Sequence, residues 1–282
     1  GRVVHALDMF EELQKEVTSD PDRYGSALPE IEKQIGNIQS EFSQFVTLNS
    51  SGDPVEAAEI LDTAENHIVA LKQIVERVPE IVTALQTKLP DQLEDLESGY
   101  RKLLESGYHF TETDIESRFQ QLHASLKNNM ANVSALELDN AIYENEQIQE
   151  EIDALYHIFT REIESQKVVK KLVKQLPGYL KHAKDNNSKL AAEVERLGKT
   201  FVLNESFSQQ LKELEAELSS QENVVEDALK DSSETQKAYS IVEEELEAIE
   251  ARLKEIEDEQ IGLSDSLSKI EKRSEERRVG KE

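Results

Sequence analysis

Hydrophobic residues recur three and four positions apart along most of the chain. That is the spacing by which one helix buries a stripe against another. The first series is Val3, Ala6, Phe10, Leu13, Val17, broken by Ser19-Asp20-Pro21-Asp22, with Gly25 and Pro29 close behind. The second is Leu28, Ile31, Ile35, Ile38, Phe42, Phe45, ending at Asn49-Ser50-Ser51-Gly52-Asp53-Pro54. Asp53 suits a helix N-cap and Pro54 the first helical turn. The third is Ala57, Leu61, Ala64, Ile68, Leu71, Val75, Val78, Val82, Leu85, Leu89. It crosses Pro79 in phase, so one helical path is expected, bent near Pro79 and again near Pro90. It stops at Ser106-Gly107.

The fourth series is Ile115, Phe119, Leu122, Leu126, Val133, Leu136. Its register slips near Leu138–Ala141 and resumes as Ile148, Ile152, Leu155, Phe159, Val169, Val173, Leu176. Such a slip changes the supercoil without requiring a break in the helix. The last series keeps one phase from Phe207 to Ile270, roughly 95 Å if fully helical. Its core positions are polar between Asp231 and Thr235, where packing is expected to be weak. Disordered sequence does not hold such a phase, so disorder is rejected for most of the chain.

The pattern also repeats at long range, about 85 residues apart. Ala57, Ile68, Ala70, Leu71, Ile74 and Arg77 match Ala141, Ile152, Ala154, Leu155, Ile158 and Arg161. Leu85, Leu89, Pro90 and Leu93 match Leu172, Leu176, Pro177 and Leu180. Glu116, Ser117, Gln120, Gln121 and Leu122 match Glu205, Ser206, Gln209, Gln210 and Leu211. Each unit reads as a long helix, a turn containing Gly, and a second helix that runs back and flows into the next unit. Turns near 20–27, 49–54, 106–112 and 199–205 force antiparallel neighbours. One amphipathic helix cannot bury its stripe alone, whereas three packed antiparallel can. The expected fold is all-α: elongated tandem spectrin-like three-helix repeats that share long continuous helices. The boundaries expected are 1–53 for the end of a preceding repeat, 54–140 and 141–230 for two repeats, and 231–272 for the start of another. Residues 273–282 (RSEERRVGKE) follow the last heptad position and resemble the translation of a sequencing-library adapter; they are set aside as a non-native tail.

Composition agrees with helices. Gly and Pro number 10 and 6, too few for the turns of a sheet protein this long. The absence of Cys excludes disulfides, thiolate metal sites and a cysteine nucleophile. Lys and Arg total 32 against 59 Asp and Glu, for a net charge of −27. Nucleic-acid binding depends on cations displacing counterions, so no nucleic-acid partner is expected. No apolar run is long enough to span a membrane, and the segment is expected to be soluble.

Catalytic chemistry finds little support. His5, His67, His109, His123, His157 and His182 are scattered singly, none paired at zinc-ligand spacing. Carboxylate runs such as Glu243-Glu244-Glu245 read as solvated faces beside Leu246 and Ile249. No phosphate loop, nucleophile elbow or dinucleotide fingerprint is present. No catalytic residue, metal or cofactor is expected, and the chain is expected not to be an enzyme. One stretch departs from the acidic background: Arg161, Lys167, Lys170, Lys171, Lys174, Lys181, Lys184 and Lys189, with only Glu162, Glu164 and Asp185 opposing them. Salt bridges to acidic neighbours such as 243–259 would explain them. The alternative is a partner-binding patch for an acidic tail or an anionic membrane.

Several strings resemble one known family. They are Gly52-Asp53-Pro54-Val55-Glu56-Ala57 leading into His67-Ile68-Val69-Ala70-Leu71, then Val78-Pro79-Glu80-Ile81 and Leu89-Pro90-Asp91-Gln92-Leu93 through Gly99-Tyr100. Glu151-Ile152-Asp153-Ala154-Leu155-Tyr156 and Phe201-Val202-Leu203-Asn204-Glu205-Ser206 follow in order. Together they resemble the EzrA family of bacterial septation ring formation regulators. The resemblance implies a membrane-anchored, septum-located cytoplasmic protein that binds FtsZ, restrains its assembly away from midcell and links the ring to wall synthesis. The family's membrane helix and its Gln-Asn-Arg-type patch are expected outside the stretch from Gly1 to Ile270, so no functional residue is carried over. The alternative function is a generic structural coiled coil of spectrin type without an FtsZ role.

Overall fold

The computed structural model describes residues 1–230 and 236–279. Its described residues form helices and turns, with no strand. They fall into two compact units. One comprises Gly1–Arg101 and Asp114–His157, the other Lys102–Thr113 and Ile158–Glu282.

In the first unit, helix α1 (Arg2–Ser19) leads through a 3-10 segment (Pro21–Ala27) into α2 (Leu28–Ser50). Helix α3 (Pro54–Thr83) runs back along α2 after a tight turn. The Asp53 carboxylate accepts from the Glu56 backbone N–H, and Pro54 needs no partner at the first turn. Ala6, Phe10, Leu13 and Val17 of α1 pack with Ile31, Ile35, Ile38 and Phe42 of α2 and with Leu61, Ile68, Leu71 and Val75 of α3. Gly25 sits at φ 50°, where an L side chain is strained, and a Cβ there would meet Gln86 at 2.6 Å and Val82 at 2.9 Å. The glycine lets the 3-10 segment press directly against α3.

The helical path continues across Pro79. Ahead of Pro90 it widens into a π turn (Ala84–Lys88) and then proceeds as α4 (Leu89–Glu105). Proline has no N–H to donate and its ring crowds the preceding turn, so a wider turn accommodates it. Helix α5 (Ile115–Ser134) returns antiparallel, pairing His123 with Glu97 at 2.6 Å. Helix α6 (Leu138–Gly198) then runs parallel to α3 and α4: Arg77 pairs with Asp139 at 2.6 Å, and the Tyr156 hydroxyl donates to Asp95 at 2.8 Å.

In the second unit, the part of α6 from Ile158 onward packs with α7 (Glu205–Leu229) and α8 (Tyr239–Val279). Val169, Leu172, Leu176 and Leu180 of α6 meet Leu214, Leu218 and Val225 of α7 and Leu246, Ile249, Leu253 and Ile256 of α8. Arg252 of α8 grips Glu217 of α7 at 2.6 and 3.0 Å and also reaches Glu255 and Glu259. The hydrogen bonds from Arg252 hold the Glu217 carboxyl below its ordinary value.

Two expectations are corrected. The slip near Leu138–Ala141 is a chain reversal between α5 and α6. The last heptad series is two antiparallel helices, because α7 ends at Leu229 and α8 begins at Tyr239. A third helix, α6 in the first unit and α8 in the second, therefore arrives after a second turn. The core positions Ser232 and Thr235 lie outside the described residues. The turn at 135–137 has the same hydrogen bonds as the glycine turn at 106–108. Gly107 donates to Leu104 and Tyr108 to Leu103; Leu136 donates to Val133 and Glu137 to Asn132. In one the left-handed residue is Gly107 (φ 89°), in the other Leu136 (φ 58°). A leucine there costs about 1–2 kcal/mol of backbone strain. Packing of its half-buried side chain against the core offsets that cost.

The internal matches occupy equivalent places. Arg77 pairs with Asp139 of the third helix of its bundle, and its match Arg161 pairs with Glu244 of α8. The Glu-Ser-x-x-Gln-Gln-Leu strings open α5 and α7, capped by Asp114 onto Ser117 and by Asn204 onto Ser206.

Truncating the fully buried Leu71 should cost about 2–5 kcal/mol in urea unfolding, whereas Val69→Ala on the exposed side of the same helix should stay within about 0.5 kcal/mol. The Tyr156 phenol is pushed up to about 12, first by burial and then by its hydrogen bond to Asp95. A raised value favours the protonated folded state, so its contribution is full below pH 10 and is lost as pH rises toward about 12. Unfolding curves between those values should fall less steeply with pH for Tyr156→Phe than for the unaltered chain.

Candidate functional site

All eight basic residues singled out between Arg161 and Lys189 lie on α6, and the structure sorts them into two groups. Arg161 pairs with Glu244 of α8 at 3.4 Å, both side chains largely exposed. Lys184 pairs with Glu222 of α7. Lys167, Lys170, Lys171, Lys174, Lys181 and Lys189 are exposed and form no ion pair among the described residues.

The six are brought together by helix phase. At 3.6 residues per turn they fall within an arc of about 100°, over a length of about 33 Å. The buried stripe of Val169, Leu172, Leu176, Leu180 and Ala183 lies on the opposite side of the helix. Arg161 and Lys184 fall outside the arc, nearer the seams, where α7 and α8 supply carboxylates. The aliphatic series that makes α6 a core helix thus also fixes which lysines face outward.

Of the three opposing acids, Asp185 lies on the lysine face and Glu164 at its edge, both exposed. Glu162 does not oppose the lysines. It is 4% exposed on the core side, and its carboxylate accepts from the backbone N–H groups of Tyr239 at 2.8 Å and Ser240 at 3.2 Å. These first-turn N–H groups of α8 have no acceptor within their own helix, and a negative charge there is stabilised by the helix dipole. Tyr108 closes the same site. Its ring meets Tyr239 edge-on at 5.0 Å, and its hydroxyl donates to Gln166 at 2.8 Å. Burial, reinforced by Tyr239 and Glu162, raises the Tyr108 phenol above its ordinary value. The sequence carried a signal for this site: Glu162 stands at a core position of the stripe from Phe159 to Val169, where a charge requires a dedicated partner.

His67, His123 and His182 each meet a different residue. His67 meets Glu41 at 2.6 Å, and His182 lies 3.3 Å from Asn186. No group of three His, Asp or Glu able to hold a metal ion occurs among the described residues. No helix among them is long and apolar enough to cross a membrane.

Comparison with known proteins adds an independent line. The family model described as Septation ring formation regulator, EzrA, matches residues 1–279. The chain is 71% identical over 272 residues to the Septation ring formation regulator EzrA of Streptococcus sanguinis (strain SK36), covering 96% of this chain and 47% of that protein. The corresponding proteins of Streptococcus gordonii (strain Challis) and Streptococcus pneumoniae (strain ATCC 700669) are 62% and 58% identical, each with the same coverage. The chain therefore spans about half the length of these curated relatives. No solved structure matches it.

Replacing Glu162 by Ala should lower stability by about 1.5–3 kcal/mol, the range for hydrogen bonds to a charged group, as read by urea unfolding. Glu162→Gln keeps one acceptor and should lose less. Replacing Lys170, Lys171 and Lys174 by Ala should leave the same unfolding curve within about 0.5 kcal/mol.

Proposed function

The chain belongs to the EzrA family of septation ring formation regulators, and from that premise we propose that it is a non-catalytic scaffold segment that binds FtsZ, restrains ring assembly and couples the ring to septal wall synthesis. The observation that carries this reading is the match of the family model to residues 1–279. It is supported by the way the chain uses its residues. The apolar stripes are spent on packing helices against one another, and the polar faces are left as surface for partners. Such a segment acts by geometry, presenting side chains at set spacings along helices, with no bond made or broken. The whole protein would be held at the cytoplasmic face of the membrane, at the septum, by an N-terminal helix outside this stretch.

Polymerising FtsZ with GTP in the presence of excess chain, followed by sedimentation, tests the proposal. The expected result is less pelleted FtsZ and co-sedimentation of the chain. An unchanged pellet, with the chain remaining in the supernatant, would reject FtsZ binding by this segment and favour a purely structural role.

A further inference from the structure

We propose that the lysine face of α6, from Lys167 to Lys189, is a docking strip for an extended acidic segment of a partner protein. Three observations lead there. The chain carries 59 acidic residues against 32 basic ones, yet these six lysines form no ion pair among the described residues. Second, their arrangement works against the helix that holds them. Lys167 with Lys171, and Lys170 with Lys174, are like charges one turn apart, which repel. Third, the two basic residues that serve the fold, Arg161 and Lys184, lie at the seams and are paired. Among the described residues, pairing thus accounts for those two cations and leaves the other six, which share one face of α6, without a carboxylate partner.

The shape of the strip selects the occupant. It is one helix face wide and about 33 Å long, which matches about ten residues of extended chain. Charge complementarity requires that chain to be rich in Asp and Glu. An anionic membrane fits less well. Between Lys167 and Lys189 the face carries Gly178, Asp185 and Ser188 besides the lysines and no large apolar side chain, so nothing inserts below the headgroups. The net charge of −27 also opposes approach to an anionic plane. A narrow peptide engages the strip without bringing the acidic faces with it. This inference stands apart from FtsZ binding and does not depend on it.

The probe is a fluorescein-labelled poly-glutamate peptide of twenty residues, added to the whole chain and followed by anisotropy across a salt series. Binding should weaken steeply with salt. Reversal of Lys170, Lys171 and Lys174 to Glu should weaken it by about tenfold or more at low salt. A control with the same charge change elsewhere, Lys33, Lys72 and Lys127 to Glu, should retain most of it. Lys167→Gln with Lys181→Gln, a milder pair, should give an intermediate loss, and circular dichroism should show unchanged helicity in each variant. Equal loss in the control would overturn the proposal in favour of diffuse electrostatics. Absence of peptide binding would overturn it too. Co-sedimentation with phosphatidylserine vesicles through the same lysines would then assign the strip to lipid, and self-association lost in the reversal variant would assign it to a second copy of the chain.

Discussion

An amphipathic helix in water has one stripe to hide and cannot hide it alone. That constraint organises the whole molecule. With few aromatic residues, each helix must find two neighbours to enclose its Leu, Ile, Val and Ala positions. Three antiparallel helices close such a core within one chain. Everything else follows from where the chain turns so that a third helix can arrive. The continuation of α6 past its first bundle lets one helix serve as the last member of one set and the first of the next, by the same heptad rule throughout.

Apolar seams of similar residues specify contact but not register, since a slide of one heptad places Leu against Leu again. Buried amides remove that freedom here. Asn129 donates to the Ala141 carbonyl at 3.0 Å, Asn187 to that of Leu211 at 3.0 Å and Gln260 to that of Ala183 at 2.9 Å. Each lies in the core, so a slipped register would strand a polar group away from water. Glu162 performs a related task at the start of α8, where only one axial position brings its carboxylate onto the Tyr239 and Ser240 N–H groups. Exposed ion pairs such as Arg161 with Glu244 add little by comparison.

The two sides of α6 illustrate how packing and function divide a helix. One side is constrained by volume and polarity because two other helices meet it. The other is constrained only by solubility and helix propensity, and lysines satisfy both in isolation. A row of six at one phase satisfies them poorly, because like charges crowd one face. That contrast distinguishes the strip from the rest of the acidic surface.

Much of this was legible in the sequence, for a physical reason: helix phase is a local property, and buried positions repeat in it. The stripes of α1, α2, α3 and α5, the cap at Asp53, the Gly107 stop and the matched strings opening α5 and α7 could all be read from spacing and residue type. The turns at 135–137 and after Leu229 could not. Gly and Pro are the residues that mark reversals in a sequence, and neither occurs at 135–137 or 230–238. Leu136 adopts the left-handed conformation because its side chain gains a place in a core that exists only once α3, α5 and α6 are assembled. Likewise the sequence by itself placed eight cations on one stretch of helix. Only the tertiary structure decided which two meet carboxylates and which six share an open face, and that Glu162 turns inward, because those outcomes depend on where neighbouring helices lie.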